Sequence, residues 1–244
     1  MPDVLLPAAR APLPVYLALP DGEGPWPAVV VVHDATGMSR DLRHQCDWLA
    51  GEGFLAAAPD LFRGRTVVGC LPRVLHDLTT GRGRTFEDVE RVRAWLGERT
   101  DCTGRFGVAG FCMGGGYALA LAPGGRFDAC SSSYGGCPDD PLVALRGACP
   151  VVGSYGGADR TPLGAGAAER LEQALTELGV DHDVRIYPGA GHGFMNDHDP
   201  ADVRGLLALA TRWSGTVFDP VATADARQRI VRFFREHLGG VPVR

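Results

Sequence analysis

The run AVVVVH at 28–33 constrains the fold of this chain more than any other stretch of its sequence. Four successive valines predict a β-strand, because β-branched side chains favour the extended backbone. Neighbouring side chains of a strand point to opposite faces of the sheet, so both faces of this strand must be buried. Strands of that kind are typical of a parallel sheet between two layers of helices. The run therefore predicts an α/β fold.

Strand-like and helix-like segments alternate along the rest of the chain, as a mainly parallel sheet with helices on both faces requires. Strands are predicted at 13–19, 28–33, 54–62, 105–111, 127–136, 149–157 and 182–189. Helices are predicted at 40–51, 85–99, 114–122 and 224–239, the last ending at Gly239. The less regular segments 62–84 and 197–219 are interpreted as loops or short helices near the carboxyl edge of the sheet. Because no repeat or long linker divides the chain, residues 1–244 are expected to form a single domain.

Composition and charge exclude several classes of function. The 244 residues carry a net charge of −5, and no run of Lys and Arg indicates a nucleic-acid partner. The longest apolar stretches have the length of a strand, so no membrane span is expected. The first residues lack a basic segment followed by a long apolar one, and a cytoplasmic location is therefore expected. Seven scattered cysteines without a C-x-x-C pair favour reduced thiols over a zinc site.

The stretch FGVAGFCMGGG at 106–116 contains a cysteine with a glycine two residues away on each side. Cys112 falls between a predicted strand and a predicted helix, where a tight turn would force its backbone into a strained conformation. Side chains at Gly110 and Gly114 would collide in such a turn, which is the reason for glycine in the nucleophile-elbow pattern. At a helix N-terminus the thiol would also feel the positive end of the helix dipole. A buried cysteine in a glycine-rich turn is the alternative interpretation.

An elbow needs an orienting acid and a histidine base, in that order along the chain. Asp159 follows the predicted strand at 149–157, and His192 follows the one at 182–189. A neutral imidazole can take and return a proton near neutral pH, while a carboxylate fixes its tautomer. Taken singly, Asp159 could be a turn residue and His192 a loop histidine. Together with Cys112 they predict a catalytic triad at the carboxyl edge of the sheet.

The sequence resembles the dienelactone hydrolase family, whose members have the α/β-hydrolase fold. The resemblance rests on GFCMGG around Cys112, GGADRTP around Asp159, GAGHGF around His192, and the stretch from VVVHDATG to APDLF. It implies hydrolysis of a lactone or other small carboxylic ester, with no metal and no organic cofactor. Cys112 would be the nucleophile, His192 the base and Asp159 the orienting acid. The resemblance also implies an oxyanion hole made by the backbone N–H groups of Ala35 and Met113.

Three features depart from the family pattern. Asp34 stands where the family commonly has a glutamate that holds the resting thiol, so Asp34 is the candidate for that role. Asn196 stands where lactone-degrading members have an arginine that binds the substrate carboxylate, and Arg73, or else Arg82 or Arg84, is the candidate for a second family arginine. The segment 199–217 is longer than usual and predicts an added lid helix. The charge of the substrate therefore stays open.

The leading hypothesis is a hydrolase that cleaves a lactone or small ester through a cysteine thioester. Its partner would be a small-molecule substrate, without nucleic acid or membrane, and the protein would be a monomer or a homodimer. A non-catalytic or redox-sensing member of the same fold is one alternative, since an activated thiol is open to oxidation. A thioesterase or carboxylesterase of broader specificity is another.

Overall fold

The structure is a computed structural model, and it describes residues 4–8, 11–65, 67–199 and 217–239. Its centre is an eight-stranded sheet with the strand order β1-β2-β4-β3-β5-β6-β7-β8. The strands are β1 Val4–Leu6, β2 Leu13–Ala18, β3 Trp26–Val32, β4 Leu55–Pro59, β5 Cys102–Phe111, β6 Ala129–Ser133, β7 Val151–Gly156 and β8 His182–Tyr187. The first two strands pair antiparallel, and the other six are parallel to one another. The predicted α/β architecture is confirmed.

Helices lie on both faces of this sheet. They are α1 Arg40–Gly51, α2 Val67–Thr80, α3 Arg84–Gly97, α4 Met113–Leu121, α5 Pro141–Ala144, α6 Ala167–Leu178 and α7 Pro220–Leu238. The last helix begins at an N-cap, where the Asp219 carboxylate accepts the N–H groups of Val221 and Ala222, both at 3.0 Å. It ends at Gly239, whose φ of +69° is a left-handed conformation that glycine adopts without strain. None of the helices among the described residues is long and apolar enough to cross a membrane.

The valine run explains how the two layers of helices are held. Val29 to Val32 are fully buried, and they alternate between two separate clusters of apolar side chains. Val30 and Val32 belong to the cluster beneath α3, α4 and α6, while Val29 and Val31 belong to the cluster beneath α1 and α7. The strand therefore packs against helices on both sides, as the sequence predicts.

The structure differs from the sequence prediction in the segment 62–84. It contains the fourteen-residue helix α2, where loops or short helices were expected. Pro72 lies within this helix and breaks the sequence pattern, since proline is rare in helix interiors. Cys70, Val74 and Asp77 are nevertheless buried at helical spacing, so one face of α2 packs on the protein. The lid predicted at 199–217 lies outside the described residues except for its two ends.

The parallel strands deliver their loops to one edge of the sheet. β3, β5, β7 and β8 all end there, and each is followed by one of the residues that the sequence singles out. Carboxyl edges of parallel sheets are where ligands and catalytic groups gather, because the loops that follow the strands converge.

Candidate active site

Cys112 occupies the tight turn between β5 and α4. Its φ of 53° and ψ of −117° are unusual for a residue with a side chain. A Cβ atom on Gly110 would overlap the carbonyl of Gly114, and one on Gly114 would overlap the carbonyl oxygen of Val32. Both flanking glycines are therefore required by close backbone approach, which confirms the predicted strand–turn–helix. Partial exposure of Cys112 leaves its thiol open to solvent.

Asp159 and His192 meet at the ends of β7 and β8. His192 Nδ1 lies 2.7 Å from Asp159 Oδ2, and both side chains are largely buried. The other oxygen of Asp159 accepts the N–H and the hydroxyl of Thr161, at 2.8 and 2.7 Å. Burial raises the pKa of Asp159, but the hydrogen bonds from His192 and Thr161 outweigh it and lower the pKa below its usual value. The carboxylate is therefore charged and holds the ring from the Nδ1 side.

His192 also interacts with the Cys112 thiol, which completes the predicted trio. Burial lowers the pKa of His192, yet the interactions with Asp159 and Cys112 outweigh it and raise the pKa to about 10. The ring packs edge-on against Tyr134, with the ring centroids 5.3 Å apart. An imidazole in this setting carries its proton at neutral pH, and its positive charge lies beside the sulfur.

Two backbone N–H groups at this edge of the sheet are candidates for the oxyanion hole. Met113 is the first residue of α4, where a backbone N–H has no acceptor within the helix. Ala35 lies in the turn after β3, between Asp34 and Thr36. Within the described part of the chain, neither N–H donates a hydrogen bond to another residue. Both positions agree with the role that the family resemblance implies for them.

Asp34 follows β3 and is buried beside this turn. Its Oδ1 accepts the N–H of Thr36 at 2.7 Å and also the Thr36 hydroxyl, and its Oδ2 lies 3.1 Å from His198 Nε2. Burial raises the pKa of Asp34, but the bonds from His198 and Thr36 outweigh it and lower the pKa. Among the described contacts of the carboxylate there is none with Cys112. The structure therefore gives the predicted thiol-gating residue other partners.

No described contact joins the predicted substrate-binding residues to the thiol. Asn196 is buried, accepts a hydrogen bond from the Tyr134 hydroxyl and donates one to the Asp41 carboxylate, so its amide is used inside the protein. Arg73 is exposed on α2, and none of its described contacts involves the three site residues. Of the alternatives, Arg82 is exposed and Arg84 Nε lies 3.9 Å from an oxygen of Asp88.

Three residues that hold the two aspartates were not predicted, namely Thr36, Thr161 and His198, although a local pattern marks the two threonines. Asp34 and Asp159 each have a threonine two residues later, in DAT and DRT. In both cases the aspartate accepts the N–H and the hydroxyl of that threonine. Aspartate side chains often bond to the backbone two residues ahead, so the pattern predicts a turn. Nothing local, however, indicates that His198 pairs with Asp34.

A group of side chains that could hold a metal ion lies away from Cys112. Within the described residues, the group with suitable geometry consists of Asp181, Glu236 and His237, near the start of β8 and the end of α7. That place is the opposite edge of the sheet from Cys112. Both acids there are exposed to solvent, where such groups are common without an ion.

Comparison with known proteins relates the whole chain to one family. The model of the dienelactone hydrolase family matches residues 13–238. A Yersinia pestis protein named "Putative carboxymethylenebutenolidase" is 28% identical over 259 residues, which cover 99% of this chain and 90% of that protein. A protein of the same name from Methylorubrum extorquens is 30% identical over 217 residues, which cover 82% of this chain and 74% of that protein.

A solved structure agrees with these relatives. The crystal structure described as "Putative Dienelactone Hydrolase" from Klebsiella pneumoniae superimposes with a TM-score of 0.75 at 26% sequence identity. The superposition covers 96% of this chain and 98% of that chain. The family match spans nearly all of the sheet and its helices, including the ends of β5, β7 and β8. The chain is therefore a hydrolase and belongs to the dienelactone hydrolase family.

Proposed function

We propose that this protein hydrolyses a lactone or a small carboxylic ester through a cysteine nucleophile and a thioester intermediate. The observation that carries the proposal is the strained turn at Cys112, with His192 beside the thiol and Asp159 behind the ring. Such an arrangement is typical of nucleophilic acyl transfer. The names of two relatives refer to a butenolide, which is an unsaturated lactone, and this supports the same class of substrate here.

The first half of the reaction is acylation. The Cys112 thiolate attacks the carbonyl carbon, and the electron pair of the C=O bond moves to oxygen, where Met113 and Ala35 would donate their N–H groups. As the oxyanion collapses, the bond to the ester oxygen breaks and the His192 imidazolium gives its proton to that oxygen. A lactone opens but stays attached to the enzyme, because its alcohol is part of the acyl group. An ordinary ester releases its alcohol.

The second half of the reaction is hydrolysis of the thioester. Neutral His192 accepts a proton from water, whose oxygen attacks the thioester carbon and forms a second oxyanion. Collapse expels the Cys112 thiolate and leaves a carboxylic acid, while His192 is again an imidazolium. Asp159 remains ionised throughout and holds the ring so that its Nε2 faces the reacting groups.

Replacing the nucleophile tests this proposal. We expect Cys112→Ala to lower the turnover of p-nitrophenyl acetate and of dihydrocoumarin by at least about 10³-fold, because no thioester can form. Cys102→Ala is the matched control, since Cys102 is a partly buried cysteine at the other end of β5. Intact-mass measurement of the wild type should show an acyl adduct on Cys112 during turnover.

Two outcomes would contradict the proposal. If Cys112→Ala turned over both substrates at the wild-type rate, Cys112 would have no part in the reaction. If the wild type formed only oxidation adducts at Cys112 and hydrolysed no ester, a redox-sensing role would be favoured instead.

A further inference from the structure

A second aspartate–histidine pair lies at the same edge of the sheet as the first. Asp34 Oδ2 and His198 Nε2 are 3.1 Å apart, and their side chains are only 10% and 12% exposed. His198 follows His192 by six residues in the loop after β8, whereas Asp34 belongs to the loop after β3. The pair therefore joins the loop of the base to the loop of Ala35. Desolvating such a pair is costly, so its presence beside a catalytic centre calls for a role.

The Asp34 carboxylate fixes the turn in which Ala35 lies. Its Oδ1 accepts the N–H and the hydroxyl of Thr36, and its backbone carbonyl accepts the N–H of Gly37 at 3.2 Å. The same carbonyl accepts a bond from His33 Nδ1 at 2.7 Å. These bonds hold the peptide groups on both sides of Ala35. The orientation of the Ala35 N–H is therefore set by the orientation of Asp34.

His198 holds the oxygen of Asp34 that the turn does not use. The same division exists at Asp159, where Oδ1 bonds to Thr161 and Oδ2 bonds to a histidine. At Asp159 that histidine is the candidate base. At Asp34 the histidine lies in a loop that is anchored to α1, because the neighbouring Asp197 N–H donates to Asp41 at 2.9 Å.

We propose that His198 is a positioning residue that aims the Ala35 N–H at the oxyanion by fixing the Asp34 carboxylate. The inference rests on the proposed function, since an oxyanion forms only if Cys112 attacks a carbonyl. Oxyanion donors act on charge that develops in the transition state, and they lose their effect when misdirected. Loss of His198 therefore lowers kcat with little effect on KM. It leaves the thiol itself unchanged.

The test uses two reactions of Cys112 to distinguish an effect of His198 on the oxyanion hole from an effect on the reactivity of the thiol. Acylation by p-nitrophenyl acetate passes through an oxyanion, whereas alkylation by iodoacetamide is a direct displacement at carbon without one. We expect His198→Ala to lower the acylation rate about tenfold and to leave the alkylation rate within twofold of the wild type. His198→Gln should recover part of the acylation rate, because its amide N–H can still donate to Asp34.

A control and a coupling measurement complete the experiment. His182→Ala removes a half-buried histidine from the start of β8, at the opposite edge of the sheet, and should change neither reaction. If His198 acts through Asp34, then Asp34→Asn combined with His198→Ala should lower the acylation rate by less than the product of the two single effects. Circular dichroism spectra establish that each variant is folded, and His198→Gln carries the test if His198→Ala is not.

Three outcomes would overturn the inference. If acylation and alkylation fell together, the pair would act on the thiol, as a gating role of Asp34 requires. If neither rate changed in His198→Ala and His198→Gln, the pair would serve only the fold. If the double variant lost acylation rate by the full product of the two single effects, His198 would not act through Asp34. A wild type that neither formed an acyl adduct nor hydrolysed any ester would instead refute the proposed function, which is a different result.

Discussion

The backbone at Cys112 is strained because two glycines let three segments approach one another closely. Gly114 lies against the carbonyl groups of Val32 and His33 at the end of β3, so the turn of Cys112 is packed directly on the segment that leads to Ala35. Contact between backbone atoms cannot be relieved by a change of rotamer. The spacing of the proposed nucleophile and the proposed oxyanion donor thus depends on the absence of a side chain at Gly114.

A methyl group at Gly114 should therefore be harmful. We expect Gly114→Ala to lower the free energy of unfolding by roughly 2–4 kcal/mol and to abolish ester turnover, because its Cβ would lie 2.8 Å from His33 O and closer still to Val32 O. Gly116→Ala is the matched control in the same helix, since its Cβ would meet the flexible Leu78 side chain at 3.3 Å. Urea denaturation of both variants measures the difference. Equal stability of the two would show that the turn can shift without cost.

Single residues also show where sequence reasoning ends. The meeting of Cys112, Asp159 and His192 at one edge of the sheet could be predicted, because each follows a strand and carries a local pattern of its own. The partners of Asn196 could not be predicted, because Tyr134 and Asp41 are 62 and 155 positions away in the chain. Both partners arrive through the tertiary fold, so no spacing in the sequence marks them.

At the scale of elements, hydrogen bonds from α7 brace β7 and β8, the two strands that precede Asp159 and His192. The Arg229 side chain is 3% exposed, and it donates to both carboxylate oxygens of Asp183 on β8, at 2.7 and 3.0 Å. It also donates to Gly153 O and Ser154 Oγ of β7, both at 3.3 Å, and to Tyr187 Oη at 3.1 Å. One guanidinium thus joins the helix to both strands behind the site.

Removing this brace should destabilise the protein. We expect Arg229→Met to lower the free energy of unfolding by about 3–5 kcal/mol, because it leaves buried acceptors of β7 and β8 without a donor. Arg232→Met is the control, since Arg232 is 69% exposed and lies 3.5 Å from the same Asp183 carboxylate. An exposed pair of that kind contributes less than about 1 kcal/mol. A similar loss in both variants, measured by urea denaturation, would contradict the bracing role.

Helices and strands could be predicted from the sequence where one regular pattern of apolar residues runs along their whole length. Helix α7 was predicted from 224 to 239 because its apolar stripe is continuous and Gly239 ends it. Its start at Pro220 was missed, since the N-cap of Asp219 falls in a segment that is irregular by composition. Helix α2 was missed because Pro72 interrupts its pattern, and β1, Val4–Leu6, is too short to show any alternation.

At the scale of the whole molecule, a parallel sheet could be predicted but its strand order could not. The alternation of strands and helices requires parallel pairing, whereas the positions of β3 between β4 and β5 and of β2 beside β4 depend on crossovers that leave no trace in composition. The site depends less on that order. Any parallel arrangement sends the loops after β3, β5, β7 and β8 to the same edge, so the residues that follow them could be grouped from the sequence.

The convergence of these loops makes Cys112, His192 and Asp159 one interacting unit, and the raised pKa of His192 within it predicts the pH profile. His192 has a pKa of about 10, so it is an imidazolium below that pH and loses its proton as the pH rises through it. Because the imidazolium protonates the leaving oxygen in the proposed mechanism, kcat/KM for an aliphatic lactone such as γ-butyrolactone, whose alkoxide must be protonated to leave, should fall on an alkaline limb near pH 10.

Replacing the acid of this unit should move the limb. Asp159→Asn removes a contact that raises the pKa of His192, so the limb should shift to lower pH while kcat/KM falls roughly 10²- to 10⁴-fold. Asp181→Asn, which removes an exposed charge beyond the other edge of the sheet, should leave both unchanged. The measurement is kcat/KM from pH 6 to 11, corrected for spontaneous hydrolysis. A limb at the same pH in wild type and Asp159→Asn would mean that Asp159 does not set the protonation of His192, and the three residues would not act as a unit.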